Sequence, residues 1–282
     1  MKNPLVSVII PTKNEQLVIG RCIESVKKQT YRHIECIVVD NNSTDKTLSI
    51  AKKYGVNTFT KGPERSTQRN FGAGIAKGTY LFFVDADMVL TPKVVEECVV
   101  LLQKDNKKAI IIPEKSFGSG FWAECKELER SFYVGVLWME APRFIEKQVF
   151  KSLGGFNETL TAFEDFDFSQ KIQERFSEFS ITHAKSFIFH DEGDLSFWQL
   201  LRKKYYYGMS IEAYRKQYEK SGVFKKQINI FTRYGLFLRH PGKIFRSPVI
   251  SFGMFFMKLC EMTALGLGYI KGIFFSIHTL SL

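Results

Sequence analysis

Tyr80-Leu81-Phe82-Phe83-Val84-Asp85-Ala86-Asp87 is the stretch that decides the fold. An aromatic and β-branched run of this length reads as a buried strand, with two carboxylates following at its C-terminal end. In open α/β sheets that end of a strand faces the ligand crevice. Asp85 and Asp87 stand two apart across the small Ala86, so a strand continuing through them would point both to one face. Two carboxylates pointing together repel unless a cation lies between them, and an all-oxygen donor set suits Mg²⁺ or Mn²⁺. Such an ion keeps waters and completes its shell from substrate phosphates. In isolation an Asp-x-Asp is as readily a pair of solvated turn aspartates, so the surrounding chain has to decide.

Outward from this stretch, strand and helix alternate. Upstream, 5–10 reads as a strand stopped by Pro11, and 16–29 as a helix with the stripe Leu17, Cys22, Ile23 and Val26. A second strand at 34–39 is followed by helix 47–54, strand 56–59 and helix 66–76. Downstream come a helix around 94–103 and a strand at 109–112. Alternation over the first 112 residues predicts a mostly parallel sheet with right-handed crossovers. After Pro113 the rhythm breaks into a helix at 121–136, short elements over 143–150, and late strands at 180–182 and 187–189.

Three strand ends gather polar residues: Pro11-Thr12-Lys13-Asn14-Glu15, Asp40-Asn41-Asn42-Ser43-Thr44-Asp45, and Asp85-Ala86-Asp87. Each alone is turn or capping chemistry, with Thr44 a candidate cap for the following helix. Loops leaving parallel strands open on one side, where a nucleotide would lie. Asp40 is suited to accept from the N–H of a base edge and Asp85 from ribose hydroxyls.

Charge divides the chain. The formal net charge is +11, yet up to Leu195 the 26 Lys and Arg are balanced by 26 acids. From Ser196 onward there are 14 Lys and Arg against Glu212, Glu219 and Glu261, among many aromatics. Basic residues interleaved with aromatics point to nucleic acid or to an anionic membrane. No helix-turn-helix, zinc or RNA-binding signature accompanies them, which favours a membrane surface and no nucleic acid. Five scattered cysteines without a C-x-x-C pair argue for a reducing compartment, and the run from Met1-Lys2-Asn3-Pro4 into a strand predicts no secretory signal.

The runs at 249–257 and 262–270 are each too short to span a bilayer and are interrupted by Lys258, Glu261 and Lys271. Amphipathic helices lying in the headgroup region fit this pattern. A single span over 262–282 is the alternative, and burial against the preceding α/β domain or a second subunit a third reading.

In order and spacing the chain resembles the inverting family 2 glycosyltransferases with the GT-A fold over roughly its first 200 residues. The segments that carry the resemblance are Val6-Ser7-Val8-Ile9-Ile10-Pro11-Thr12-Lys13-Asn14-Glu15, Val38-Val39-Asp40-Asn41-Asn42-Ser43-Thr44-Asp45 and Arg69-Asn70-Phe71-Gly72. Asp85-Ala86-Asp87 and Gly154-Gly155-Phe156-Asn157-Glu158, followed by Glu164-Asp165, complete the set. The resemblance implies a Rossmann-like α/β catalytic domain over 1–220, and the charge and apolar runs of the tail add a basic, apolar helical membrane-associating region over 221–282. It implies a UDP- or GDP-sugar donor held by Pro11, Thr12, Asn14, Glu15, Asp40, Asp85 and Ala86, with Arg69 and Asn70 behind its ribose and phosphates.

Asp87 would hold a Mg²⁺ or Mn²⁺ ion bridging the diphosphate. His190, at the end of an apolar strand, is a candidate further ligand, with Asp191 a weaker one. Asp165 would be the catalytic base, with Glu164 orienting the site and Asp167 a helix N-terminal charge. Arg202, Lys203 and Tyr206 are candidate contacts for the diphosphate or a lipid headgroup. The Gln-x-x-Arg-Trp motif of processive members is missing, which argues against long-chain polysaccharide synthesis.

The expected activity is sugar transfer to a hydroxyl of a lipid or lipid-linked glycan at the cytoplasmic face of a membrane. A polyprenyl phosphate acceptor is the alternative. A nucleotidyltransferase and a non-catalytic nucleotide-sugar-binding subunit are the readings from other classes. Oligomeric state is open.

Overall fold

A computed structural model describes residues 3–104 and 107–279 of the chain. In chain order the first elements are β1 (Val6–Thr12), α1 (Ile19–Lys27), β2 (Ile34–Asp40), α2 (Thr47–Lys53), β3 (Asn57–Thr60) and α3 (Arg65–Ile75). Next come β4 (Tyr80–Phe83), β5 (Met88–Leu90), α4 (Val94–Lys104), β6 (Ala109–Ile111), β7 (Glu114–Ser119) and α5 (Phe121–Ser131). Then follow β8 (Phe144–Glu146), α6 (Lys147–Ser152), α7 (Glu164–Phe176), β9 (Ile181–His183) and β10 (Ile188–Asp194). The chain continues as helices α8 (Phe197–Tyr218), α9 (Gly222–Ile228), α10 (Ile230–Leu238), α11 (Pro241–Arg246) and α12 (Pro248–Thr279).

These elements form two compact units. The first takes Met1–Lys115, Glu140–Glu158 and Glu164–Asp191, and the second Ser116–Met139, Thr159–Phe163 and Glu192–Leu282. The last change of unit falls within β10, between Asp191 and Glu192, and α8 lies in the second unit with the helices that follow it.

The first unit holds a seven-stranded sheet in the order β3-β2-β1-β4-β8-β6-β9. β3, β2, β1 and β4 are parallel, β8 runs against β4 and β6, and β9 is parallel to β6. From β1 the chain winds to one side for β2 and β3, then crosses to the other for β4. The C-terminal ends of β1 and β4 therefore flank a point where the winding reverses, the usual place for a ligand crevice. Every residue of β1 and β4 is buried, as strands covered on both faces require. Val8, Ile10, Val38, Phe82, Val84 and Phe144 form the centre of the core. Each such side chain contributes about 1.5–3 kcal/mol on full burial. α3 lies so close on β1 that a Cβ on Gly72 would stand 2.5 Å from Ile9 Cγ2.

Four local readings change. Pro11 does not stop β1; it lies inside the strand opposite Val39. Ile9 O accepts from Val84 N, whereas Thr12 O accepts from Asn41 N on the β2 side. Alternation therefore turns the nitrogen of Pro11 toward β4, past the end of that strand, where no ladder bond is lost. α1 begins at Ile19 and leaves Leu17 exposed. The backbone N–H groups of Glu15 and Gln16 are taken by Thr47 Oγ1 and Asp45 Oδ2, which holds 15–18 in a turn. Thr44 does not cap α2: its N–H goes to Asn14 Oδ1, and Asp45 Oδ1 accepts from Thr47 N. β4 ends at Phe83, and Met88 N reaches back to Asp85 O, so Asp85-Ala86-Asp87 is a turn and its carboxylates do not share a strand face.

In the second unit, Cys125, Phe132, Leu200, Phe237, Met254 and Met257 form the core. The two apolar runs of the tail belong to one helix, α12, whose Pro248–Phe274 portion is long and apolar enough to cross a membrane by length and composition. The last residues of the expected 262–282 span and 221–282 region, 280–282, lie outside the described residues. Gly268 and Gly272 bring α12 onto α8: a Cβ on either would fall 2.0 Å from Tyr205 O or 2.6 Å from Met209 O.

Candidate active site

The loops after β1 and β2 are stitched together by their own polar side chains. Asn14, held at φ 56°, accepts from Thr44 N through Oδ1 and donates its own N–H to Ser43 Oγ at 2.8 Å. Asp40 is fully buried at the end of β2 and accepts from Ser43 N at 2.8 Å and from the Ser43 hydroxyl. Gln68 of α3 donates to Thr12 O and Val39 O, tying the two strand ends from below. Pro11, Thr12, Asn14, Glu15 and Asp40 thus line one rim, with Pro11 and Thr12 buried and Asn14 exposed.

Arg69 organises the other rim. Its side chain is 0% exposed, with Nη2 2.7 Å from Asp85 Oδ1 and Nη1 2.8 Å from Asp165 Oδ1. Its guanidinium lies over the Phe156 ring, 5.3 Å from the centroid. Arg69 therefore sits beneath the crevice, committed to two carboxylates. Asn70 is committed as well: it exchanges hydrogen bonds with the Phe156 backbone and donates to Glu158 Oε1, pinning the loop after α6. Gly155, at φ 72°, allows that approach, since a Cβ there would stand 2.7 Å from Asn70 Oδ1.

Asp85 is shared by a second arginine. Arg143 Nη1 lies 3.3 Å from Asp85 Oδ2, and Arg143 also binds Glu114 at 2.8 Å through Nε and Nη2. Burial pushes the Asp85 carboxyl up, but Arg69, Arg143 and Arg65 outweigh it and hold it well below the usual carboxylate range.

Asp87 meets His190 through strand pairing. β10 runs against β5 with His190 opposite Met88, and Asp191 N donates to Asp87 O. His190 Nε2 is then 3.2 Å from Asp87 Oδ2, while Nδ1 is 3.0 Å from Glu114 Oε2. Asp191, the weaker candidate ligand, turns to Arg21 instead. Asp87 Oδ1 is buried with no hydrogen-bond partner. An orphaned carboxylate oxygen beside an imidazole whose far nitrogen is fixed by a carboxylate fits a divalent ion. Among the described residues no three His, Cys, Asp or Glu side chains gather to hold a metal alone. An ion here would take its other ligands from water and phosphate.

α7 opens with Glu164, Asp165 and Asp167 in its first turn, where acids favour the helix dipole. The two adjacent carboxylates differ sharply. Glu164 has a side chain 2% exposed, bound by Arg65 at 3.0 Å, whereas Asp165 is 29% exposed. Burial, then the neighbouring Asp165 charge, raise the Glu164 carboxyl against the pull of Arg65 and Arg69. Asp167 pairs with Lys171 along the helix at 2.8 Å. Asp165 is thus the carboxylate of this pair that reaches solvent.

Seven residues of the first unit form one continuous chain of contacts: Asp165, Arg69, Asp85, Arg143, Glu114, His190 and Asp87. Arg143 and Glu114 escaped the sequence reading because they lie after Pro113, where the strand–helix rhythm is lost. Arg202, Lys203 and Tyr206 lie on α8 in the second unit, exposed.

Residues 7–159, more than half of the chain, match the family model described as glycosyl transferase family 2. An uncharacterized glycosyltransferase of Rickettsia typhi, RT0329, is 31% identical over 182 residues, 58% of this chain and 57% of that protein. The chain spans about half the length, or less, of the first curated relatives it matches. Among solved structures, the mannosyltransferase PcManGT from Pyrobaculum calidifontis, in complex with GDP-Man and Mn²⁺, aligns with a TM-score of 0.63 at 15% identity. The alignment covers 97% of this chain and 88% of that one. Glucosyl-3-phosphoglycerate synthase from Mycobacterium tuberculosis, with Mn²⁺, UDP and phosphoglyceric acid, aligns with a TM-score of 0.54 at 16% identity, covering 74% and 78% of the two chains. At these identities the structural likenesses establish the fold, which is of the GT-A type.

Proposed function

This chain belongs to glycosyl transferase family 2, and we propose that it moves a sugar, with inversion, from a nucleoside diphosphate sugar to a hydroxyl of a lipid or lipid-linked glycan at the cytoplasmic face of a membrane. The observation that carries this reading is the Arg69 fork, which ties the donor-side Asp85 to the solvent-reaching Asp165. A single guanidinium fixes the spacing between where the donor would lie and where a proton would be taken.

In this scheme the rim from Pro11 to Glu15 and Asp40 receives the base, and Asp85 with Ala86 the ribose. Asp165 accepts the acceptor's proton as its oxygen attacks the anomeric carbon, while the diphosphate leaves from the opposite face. Glu164, buried under Arg65, orients the pair. Arg69, Asn70, Arg143 and Glu114 are positioning residues. Asp87 and His190 would hold a divalent ion, which would supply charge stabilisation for the departing diphosphate. That two structural neighbours carry Mn²⁺ with a nucleotide or nucleotide sugar supports this assignment.

The acidic pair favours a hydroxyl acceptor over a polyprenyl phosphate, because a phosphate oxygen is already ionised and needs no base. Incubation with UDP- and GDP-sugars, Mn²⁺ and lipid acceptors should release nucleoside diphosphate. Pyrophosphate release from a nucleoside triphosphate would make the protein a nucleotidyltransferase. Donor binding without turnover across the panel would make it a binding subunit.

A further inference from the structure

α12 is built inside out. Its central charges face inward: Lys258 is 5% and Glu261 2% exposed. Lys126 Nζ lies 2.7 Å from Glu129 Oε2 and 2.9 Å from Glu261 Oε1, and Lys258 binds the same two glutamates. Tyr133 donates to Glu129 Oε1 at 2.6 Å. The apolar residues face outward instead. Phe252, Phe256, Leu259, Leu267, Ile270 and Phe274 are all exposed, Phe252 by 76% and Phe274 by 63%. Their spacing follows steps of three and four, with Thr263 exposed in the one gap, so they form a single stripe. Phe231, Leu238 and Phe245 on α10 and α11 are exposed too. An apolar area of this extent marks a partner surface.

We propose that this stripe docks onto an anionic lipid bilayer with α12 lying parallel to the membrane plane, not crossing it. The reverse side of the helix is covered along most of its length. Ile250 O accepts from Cys125 Sγ, Gly253 abuts Phe121, Glu261 pairs with Lys126, and Gly268 and Gly272 rest on α8. From Ile250 to Gly272 this covered side is ~33 Å long, about the thickness of a bilayer's hydrocarbon core. The helices that cover it expose Glu124, Glu127, Arg202 and Lys203. A span would draw these charges into hydrocarbon, whereas in-plane docking leaves them in water.

Charge selects the partner. Arg239 and Arg246 are exposed beside Leu238 and Phe245, in the third of the chain that carries the whole positive excess, whereas the Lys243 ammonium is bound to Ser131 O. Anionic headgroups complement that border, while a second copy would bring like charges together. This deepens the proposed function by naming the membrane-side partner, and its readout is lipid binding, independent of sugar transfer.

The test uses the full chain and flotation with phosphatidylcholine vesicles, with or without phosphatidylglycerol. Phe252→Ser/Leu259→Ser/Leu267→Ser should lower the vesicle-bound fraction by about tenfold. Since all three side chains are exposed, its circular dichroism and melting should stay unchanged. Arg239→Gln/Arg246→Gln should abolish the preference for phosphatidylglycerol, and added salt should weaken binding of the unaltered protein. A fluorescent amino acid at position 252 or 270 should be quenched equally by lipids brominated at one shallow depth. Unequal depths at the two positions would establish a span and overturn the proposal. So would undiminished flotation of the triple serine variant, or dimerisation through the stripe without vesicle binding.

Discussion

Each unit of this molecule contains an ion network, and the two are built to opposite plans. In the first unit the network is an open chain, from Asp165 through Arg69, Asp85, Arg143, Glu114 and His190 to Asp87. Its joints are arginines, whose planar forks each bridge two carboxylates. Arg69 is fully buried within it, while its ends, Asp165 and Asp87, are its most exposed members. In the second unit Lys126, Glu129, Lys258 and Glu261 close into a ring in which each lysine meets both glutamates. Lysines act there as point charges, and every member is buried. An open chain presents reactive groups at defined spacing; a closed ring presents none and fixes how α5 and α12 pack.

The strongest way to break this contrast is to cut both networks. Arg69→Ala should cost about 3–5 kcal/mol, as removal of one partner of a buried ion pair does, and should abolish sugar transfer. Lys258→Met should cost a similar amount in denaturant unfolding yet leave nucleotide and Mn²⁺ binding intact. Loss of nucleotide binding in Lys258→Met, or full transfer by Arg69→Ala, would erase the distinction.

A smaller effect sharpens the open end of the chain. Glu114→Gln removes the carboxylate that orients the His190 ring and should weaken Mn²⁺ binding 10–100-fold, the usual cost of losing such a partner. Nucleotide affinity measured without metal should not change. An unaltered Mn²⁺ titration would show that Glu114 serves only Arg143.

The smallest effect concerns the ring. Lys204 lies 3.9 Å from Glu261, which draws its pKa upward. Burial and repulsion from Lys126 and Lys258 prevail and lower it to about 7. The unfolded chain then binds more protons than the folded one above pH 7, so this group's contribution to stability rises with pH from there. Below pH 7 the charged form is present in both states and its cost is complete. The melting temperature of the wild type relative to Lys204→Met should therefore climb between pH 7 and about 8.5, before free thiols ionise in the unfolded state. A flat difference would mean that Lys204 is well solvated.

Much of this was legible in the sequence, because the strands of a parallel sheet advertise themselves as apolar runs and their polar ends mark the crevice. Asp85, Asp87, Asp165 and His190 stand at motif positions, and the structure joins them in one chain of contacts. What the sequence concealed depended on contacts between distant segments. Leu17 fits a helical stripe, yet the capture of Glu15 and Gln16 by Asp45 and Thr47 delays the helix past it. Asp85 and Asp87 read as a shared pair, but the turn after β4 sends one to two arginines and the other to His190. Lys258 and Glu261 looked like interruptions of an apolar run. A usable signal was present: Lys126-x-x-Glu129 and Lys258-x-x-Glu261 repeat one spacing, which places complementary pairs on facing helices.

The central claim is that Asp165, held by Arg69, takes the acceptor's proton. Its most direct measurement is the transfer rate of Asp165→Asn across pH, with donor and Mn²⁺ binding followed in parallel, using a hydroxyl-bearing lipid-linked sugar and a polyprenyl phosphate as acceptors. Binding should persist, and transfer to the hydroxyl acceptor should fall by about 10²–10⁴-fold and lose the acidic limb of its pH profile. Undiminished transfer to the hydroxyl acceptor by this variant, or a fall that leaves the acidic limb of the pH profile intact, would contradict the account and leave Asp165 as a group that positions the acceptor.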